Sequence, residues 1–255
     1  MAESNFILGL NPWSSNQIMN HFPDPIHRIL LIRLSALGDC FCAFPVFAAL
    51  RTHFPHAHIA WAIQDNFAPL IQNLPGLDEI ILFPRQRWKR SSWFTQLTEG
   101  RQLIRRLGMR RFDLTIDVQS NTKSGAVAWA TRAPLRICHG GEEAKELTQW
   151  LNNKPIPPSA EMPHIIQRNL HLLSPLGIPE ASPRFPLPPD PFAKATVRRW
   201  LEEKGLRPGE YFLLTPFCGN QNKEWPPEQF TRLSQILAQH NQATVFLNGP
   251  GKEAE

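Results

Sequence analysis

Ile29-Leu30-Leu31-Ile32-Arg33-Leu34-Ser35-Ala36-Leu37-Gly38-Asp39 is the stretch on which the fold turns. It reads as a buried strand, then a short turn of small residues, then a helix opening near Cys40. Open α/β sheets bind ligands at the carboxyl edge of their strands. The stretch therefore sets one carboxylate, Asp39, and several backbone amides at that rim. Two readings of Asp39 stand side by side at this point. It could cap the helix that follows, where Asp is favoured, or act as a base toward a bound hydroxyl group.

Outward from this stretch the chain alternates strands and helices. Strands are expected at 29–34, 58–63, 79–83 and 112–117, with a fifth at 135–138. A helix follows the first strand through Phe47, Leu50 and Arg51 and ends before Pro55. A short helix at 66–73 meets the stop signal Pro75-Gly76. A longer one spans 92–107, with Leu97, Ile104 and Leu107 at apolar positions. An Ala-rich helix covers 120–131, and a further helix covers 164–176. Repeated strand–helix units of this length imply a parallel sheet with right-handed crossovers.

Proline punctuates the rest. Of its 25 prolines, six fall between Pro179 and Pro191, a density that excludes regular helix or central strand. This reads as an extended linker. Beyond it come a helix at 191–204 (Phe192, Val197, Trp200 and Leu201 apolar), a strand at 211–215, a helix at 226–239 and a strand at 243–247. Two strands cannot close a doubly wound domain, since such sheets average about five or six. The second half is thus expected to be truncated, short of roughly a hundred residues if it mirrors the first. The expected division is an irregular extension over 1–27, a first domain over 28–178, the linker over 179–191 and a partial second domain over 192–255.

Composition narrows the function classes. The chain has 255 residues, 42% apolar and 19% charged, which suits a globular protein with a real core. A net charge of +5 permits anionic ligands such as nucleotide diphosphates, or an acidic membrane surface. No recognition motif or dense basic block accompanies it, so nucleic acid is not an expected partner. Arg85 to Arg90, with Trp88 among them, reads first as a solvated loop or helix face and second as a contact with an anionic surface. The four cysteines form no CxxC pair, which fits free thiols in a reducing cytosol. The N-terminus shows no secretory signal, and no apolar run approaches the roughly 18 residues of a membrane span. The expected location is the cytoplasm, any membrane contact being peripheral at the inner face of the cytoplasmic membrane.

Three loops follow strands and could converge on one cleft: 35–39, 117–124 and 215–226. Ser35 and Gly38 belong to the first, Gln119 and Lys123 to the second, Thr215 and Lys223 to the third. Lys223 stands just before a helix, and an ammonium beside helix N-terminal amides can bind phosphate. An isolated surface Lys is the plainer reading. Gly249-Pro250-Gly251-Lys252-Glu253 follows a strand but has neither phosphate-loop spacing, so a plain turn is the default. Asp117 and Gln119 either close a strand or meet an acceptor. Lys123 and Arg168 either meet acceptor phosphates or sit on wet helix faces.

Six ordered blocks, from about residue 29 to the end, carry a resemblance. They are Arg33-Leu34-Ser35-Ala36-Leu37-Gly38-Asp39 with Pro45 and Ala48-Ala49-Leu50-Arg51; Phe54 to Trp61; Phe112 to Gln119 with Lys123-Ser124; His164 with Arg168-Asn169 and Leu172-Leu173; Lys223-Glu224-Trp225-Pro226-Pro227-Glu228; and Gly249 to Glu253. The chain resembles the heptosyltransferases of glycosyltransferase family 9. The resemblance implies an α/β fold of the GT-B type, with two Rossmann-like doubly wound domains, the second incomplete here. It implies an inverting transfer of heptose from ADP-heptose to the lipopolysaccharide inner core. On that reading Asp39 is the base, Lys223 holds donor phosphate and Glu253 contacts the donor nucleoside. Thr215 joins the donor side, while Ser35, Gly38, Gln119, Lys123 and Arg168 fall on the acceptor side. No cofactor is implied, and no Asp-x-Asp pair is visible, so a metal-independent reaction is expected.

Two departures qualify the likeness. The family's Asp-x-Gly-x-x-His loop is absent, and Phe217-Cys218-Gly219 replaces a smaller, hydroxyl-rich loop. A non-catalytic remnant or binding module of the same ancestry is therefore the alternative. A nucleotide-dependent enzyme of another class on the same sheet is a third, weaker reading.

Overall fold

A computed structural model of the chain describes residues 25–144, 147–159, 161–179, 182–187, 190–216 and 224–247. The chain divides into two compact units, Met1–Pro188 and Pro189–Glu255.

The first unit is built on a six-stranded parallel sheet. In chain order its elements are β1 (Arg28–Ile32), α1 (Leu37–Phe41), α2 (Phe44–His53), β2 (His58–Gln64), β3 (Glu79–Phe83), α3 (Arg85–Lys89) and α4 (Trp93–Met109). These are followed by β4 (Leu114–Asp117), α5 (Thr122–Thr131), β5 (Leu135–His139), α6 (Thr148–Leu151), β6 (Lys154–Ile156) and α7 (Ile165–His171). The spatial order is β3-β2-β1-β4-β5-β6, the doubly wound arrangement whose strand order reverses between β1 and β4.

Side-chain alternation explains why this sheet needs cover on both faces. Ile29 and Leu31 of β1 join one core cluster with Ile59, Trp61, Ile63, Leu114 and Ile116. Leu30 and Ile32 point the other way, into a second cluster with Ala60, Ala62, Leu107, Val127 and Ala128. Helices α2 and α7 cover the first face through Phe44, Phe47, Leu50 and Leu170. Helices α4 and α5 cover the second. Each fully buried Leu or Ile here is worth about 1.5–3 kcal/mol.

Prolines correct two helix expectations. One helix was expected from Cys40 through Arg51; the structure has two, because Pro45 cannot follow Phe41 in a continuous helix. Its ring would strike the carbonyl four residues back, so α1 ends at Phe41 and α2 restarts with Pro45 in its first turn. Pro175 acts likewise on the helix expected over 164–176. Helix α7 ends at His171, and a 3-10 turn over Ser174–Leu176 follows, closed by Gly177 at φ 69°. The helix expected at 66–73 is a 3-10 turn over Asp65–Leu70 containing Pro69. Strand β6, helices α3 and α6, and a 3-10 turn over Gly141–Glu143 were not foreseen.

The second unit comprises α8 (Pro191–Glu203), β7 (Tyr211–Leu214), α9 (Pro227–Gln239) and β8 (Ala243–Phe246). Asp190 caps α8, its Oδ1 accepting from the amides of Phe192 and Ala193 at 2.8 and 3.4 Å. Strands β7 and β8 pair in parallel from Tyr211↔Ala243 to Leu214↔Phe246. Phe212 and Leu213 are 47% and 55% exposed, although parallel strands are normally covered on both faces.

Candidate active site

The strand order reverses between β1 and β4, and open α/β sheets bind ligands outside the carboxyl edge at such a switch point, which the loops after both strands border here. Arg33 follows β1 directly. It is buried, and its Nη1 donates to the Val118 carbonyl at 2.8 Å, tying the β1 and β4 loops together. Its Nη2 meets Asp39 Oδ2 at 2.6 Å. The same oxygen accepts from the Ala36 amide at 3.2 Å.

Asp39 is therefore the third residue of α1, reaching back to the N-cap amide, and not the cap itself. Its side chain is 51% exposed. All the described polar contacts fall on Oδ2, so Oδ1 retains its lone pairs. A carboxylate oriented by a buried guanidinium through one oxygen, with the other open, is a geometry suited to accepting a proton.

Gln119, placed by sequence on the acceptor side, spends its Oε1 on the β1 loop. It accepts from the amides of Leu34 and Ser35 at 2.7 and 3.1 Å. Ser35 is thus fixed through its backbone and lies half-buried. Asp117 does the same within the β4 loop. Its Oδ1 accepts from the amides of Gln119 and Ser120, at 3.1 and 2.8 Å, and its Oδ2 from Ser124 Oγ at 2.9 Å. Burial pushes its carboxyl up to about 6, and the hydrogen bonds from Ser120, Ser124, Gln119 and Asn152 work against that rise. This is a strand-closing role.

Gly38 is exposed, and a Cβ added there would meet nothing within 4 Å. The fold does not require glycine at this position, so the space above it is open to a ligand. Lys123 is exposed in the first turn of α5, behind the Asn121 cap whose Oδ1 accepts from the Lys123 and Ser124 amides.

Arg168 belongs to a network that sequence reasoning missed. Its Nη1 meets Glu143 Oε1 at 2.8 Å. The other Glu143 oxygen faces His139 Nδ1 at 3.4 Å. His139 Nε2 lies 3.1 Å from Asn169 Oδ1, and Asn169 Nδ2 donates to the Cys42 carbonyl at 3.0 Å. The chain of contacts thus links the end of β5 and the middle of α7 to the α1–α2 junction. Burial is the main reason the His139 imidazolium is disfavoured, with Arg33 and Arg168 acting in the same direction against Glu143. The Nε–H groups of both Arg33 and Arg168 are buried without a hydrogen-bond partner among the described residues, leaving cationic donors unspent at this edge. A polar residue directly after the strand expected at 135–138, as His139 is, was the one available signal.

The thiols nearby are not nucleophiles. Burial pushes Cys40 up to about 11 and Cys138 up to about 12, far from the thiolate range at neutral pH. Among the described residues, no group of three His, Cys, Asp or Glu side chains could hold a metal ion.

On the second unit, Thr215 is exposed directly after β7. Lys223 and Glu253 lie outside the described residues.

The sequence profile of "Glycosyltransferase family 9 (heptosyltransferase)" matches residues 100–255. The lipopolysaccharide core heptosyltransferase OpsX of Haemophilus influenzae is 24% identical over 235 residues, which cover 91% of this chain and 62% of that protein. Lipopolysaccharide heptosyltransferase 1 of Pseudomonas aeruginosa is 31% identical over 106 residues, 41% of this chain and 29% of that protein. The chain thus spans less than two thirds of the curated relatives it matches. A family 9 glycosyltransferase from Veillonella parvula superposes with a TM-score of 0.72 at 20% identity, over 88% of this chain and 63% of its own length. Escherichia coli heptosyltransferase WaaC, solved with ADP-2-deoxy-2-fluoro heptose, superposes at 0.68 and 20% identity, over 88% of this chain and 70% of its own. The fold is therefore the α/β GT-B type, the six-stranded sheet forming its first Rossmann-like domain and β7 and β8 part of the second. The matched profile, the two sequence relatives and the shared fold agree: this chain belongs to glycosyltransferase family 9, the heptosyltransferases.

Proposed function

We propose that the chain takes part in inverting transfer of heptose from ADP-heptose to the lipopolysaccharide inner core, with Asp39 as the base. The observation that carries this reading is the half-exposed Asp39 carboxylate, anchored through Oδ2 by Arg33 with Oδ1 free. An acceptor hydroxyl has a pKa far above 7 and needs a base within about 3 Å. Removal of its proton as the sugar carbon reaches an oxocarbenium-like state drives attack from the face opposite the leaving diphosphate. Developing charge on that diphosphate would fall to Lys223 and the helix-end amides after it. Glu253 would meet the nucleoside, and Thr215 would border the donor.

On the acceptor side, Ser35 and Gly38 line the loop beside Asp39. Lys123 and Arg168 supply positive charge toward anionic groups of the core. Gln119 would shape this surface by holding the loop. The E. coli complex with an ADP-heptose analogue supports the donor class. The setting we propose is cytoplasmic, with peripheral contact at the inner face of the cytoplasmic membrane; no described helix is long and apolar enough to cross one.

The alternative is a non-catalytic remnant or binding module of the same ancestry. Transfer from ADP-heptose to a lipopolysaccharide core acceptor, measured with donor binding by calorimetry, separates the two. Turnover supports the first reading. Acceptor binding with neither turnover nor donor affinity supports the second.

A further inference from the structure

Charge in this chain is concentrated in one place. Residues 85–111 hold nine Arg and Lys and a single acid, Glu99, a net +8 against +5 for the whole chain. Glu99 is already engaged, by Arg87 at 2.6 Å and by Trp88 Nε1 at 2.9 Å. The remainder of the chain is thus mildly acidic, and the basicity of the protein belongs to α3, α4 and their flanks.

One flank of α4 is also apolar and exposed. Trp93, Leu97 and Ile104 fall within about 40° of one another on a helix of 3.6 residues per turn, and all three are exposed. Leu107, about 60° round the helix from Ile104, is buried in the core beneath, and Leu103 packs against the same cluster, so the stripe flanks the core-facing side. Trp93 and Phe94, 62% and 61% exposed, stack on each other at 3.6 Å between ring centroids. Core packing needs none of this apolar surface. Beside the stripe lies a shallow depression of about 330 Å³ lined by Arg101, Arg105 and Arg132 with Ile104, Gly108 and Met109. Among the described residues, none of these three guanidiniums has an ion-pair partner.

We propose that α4 and the Arg101–Arg105–Arg132 depression form a docking surface for an anionic phospholipid bilayer. Trp93, Phe94, Leu97 and Ile104 would enter the interfacial layer, and the arginines would hold lipid phosphates. The combination is that of a helix lying in the interface plane: an apolar stripe with aromatic residues at one end and basic residues alongside. Charge complementarity selects the occupant. A protein partner for this face would need a dense acidic patch, whereas an anionic leaflet presents phosphate and apolar depth together. Because α4 follows β3, its Trp93 end starts from the carboxyl edge of the sheet, the edge that bears Asp39. Docking there would hold that edge beside the bilayer. The inference rests on the peripheral-contact part of the proposed function and not on its transfer chemistry. Vesicle binding without turnover would sustain this surface and count only against transfer.

Co-sedimentation of the full chain with vesicles tests it, using phosphatidylcholine alone against phosphatidylcholine mixed with phosphatidylglycerol. The expected result is binding at least about tenfold tighter to the mixed vesicles, reversed by salt and lost in the double variant Arg101→Glu/Arg105→Glu. Trp93→Ser should weaken binding while leaving its salt dependence. If the double variant does not fold by circular dichroism, the single Arg101→Gln change and the salt titration of the unaltered chain carry the test. Equal binding to both vesicle types, no binding at low salt, or undiminished binding by the charge-reversed variant would overturn the proposal. So would displacement by inorganic phosphate at an ionic strength where chloride has no effect, since the depression would then be a soluble-anion site.

Discussion

Strands β1 and β7 begin the same local pattern, an apolar strand running into a loop and a helix, yet they stand in opposite surroundings. β1 lies between β2 and β4, and its Leu30 and Leu31 are fully buried on opposite faces. β7 pairs only with β8 among the described strands, and its Phe212 and Leu213 are about half exposed. Local sequence specifies the strand; neighbours decide what it is worth. The consequence for function is an asymmetry. Asp39 stands in the first turn of α1, just after a strand of a covered sheet, where a side chain can be held to the tolerance that chemistry requires. The β7 loop springs from a strand that, among the described residues, pairs with β8 alone.

The widest gap between the two regions should appear on truncation of equivalent leucines. Leu31→Ala should cost about 2–5 kcal/mol, whereas Leu213→Ala should stay within about 1 kcal/mol. Urea unfolding followed by near-UV and far-UV signals measures both, and equal costs would erase the contrast.

Next in size is Asp117→Ala. It orphans the part-buried amide of Gln119 and the buried amide of Ser120 and should destabilise the first unit by about 1–3 kcal/mol. The Asp117 carboxyl is raised in the folded state, so its protonated form is favoured there. Its titration contributes stability that is full below its ordinary value of 3.8 and lost as pH rises through about 6. Removing the group should flatten that segment of the stability–pH curve.

His139 has the opposite sign. Its folded value is depressed from 6.5, so the stability linked to it is present above 6.5 and lost as pH falls through the lowered folded value. His139→Gln should remove that acid-side loss, visible as a shallower decline in melting temperature below pH 6.5. A variant that declines as steeply as the unaltered chain would show that folding does not disfavour the charged ring.

The smallest stability effect is expected at Gly38. Gly38→Ala should gain about 0.4–1 kcal/mol through the unfolded state, because no atom blocks a Cβ. If a ligand occupies that open space, transfer should fall in the same variant while the melting temperature holds or rises.

Legibility in sequence followed the range of the forces involved. The first five strands were readable because each is an apolar run bounded by turn residues. β6 was not, since it has three residues, one of them Pro155. Proline is tolerated there because β6 is an edge strand bonded on one side only. The helix breaks at Pro45 and Pro175 were written in the sequence, and reading the clash four residues back would have found them. In the site, Asp39 and its loop were legible because they are contiguous. The contacts that orient the site were not. Gln119 clamps a loop 85 residues away, and His139 meets Asn169 across 30. Lys223 and Glu253, expected on the donor side, remain proposals beyond the described residues.

The central claim is that the free oxygen of Asp39 takes the acceptor proton. The most direct measurement is the single-turnover transfer rate of Asp39→Asn beside the unaltered chain, with melting temperature recorded for both. The account predicts a rate loss of about 100- to 10,000-fold with a melting temperature shifted by only a few degrees. Transfer at an undiminished rate by the folded variant would contradict it.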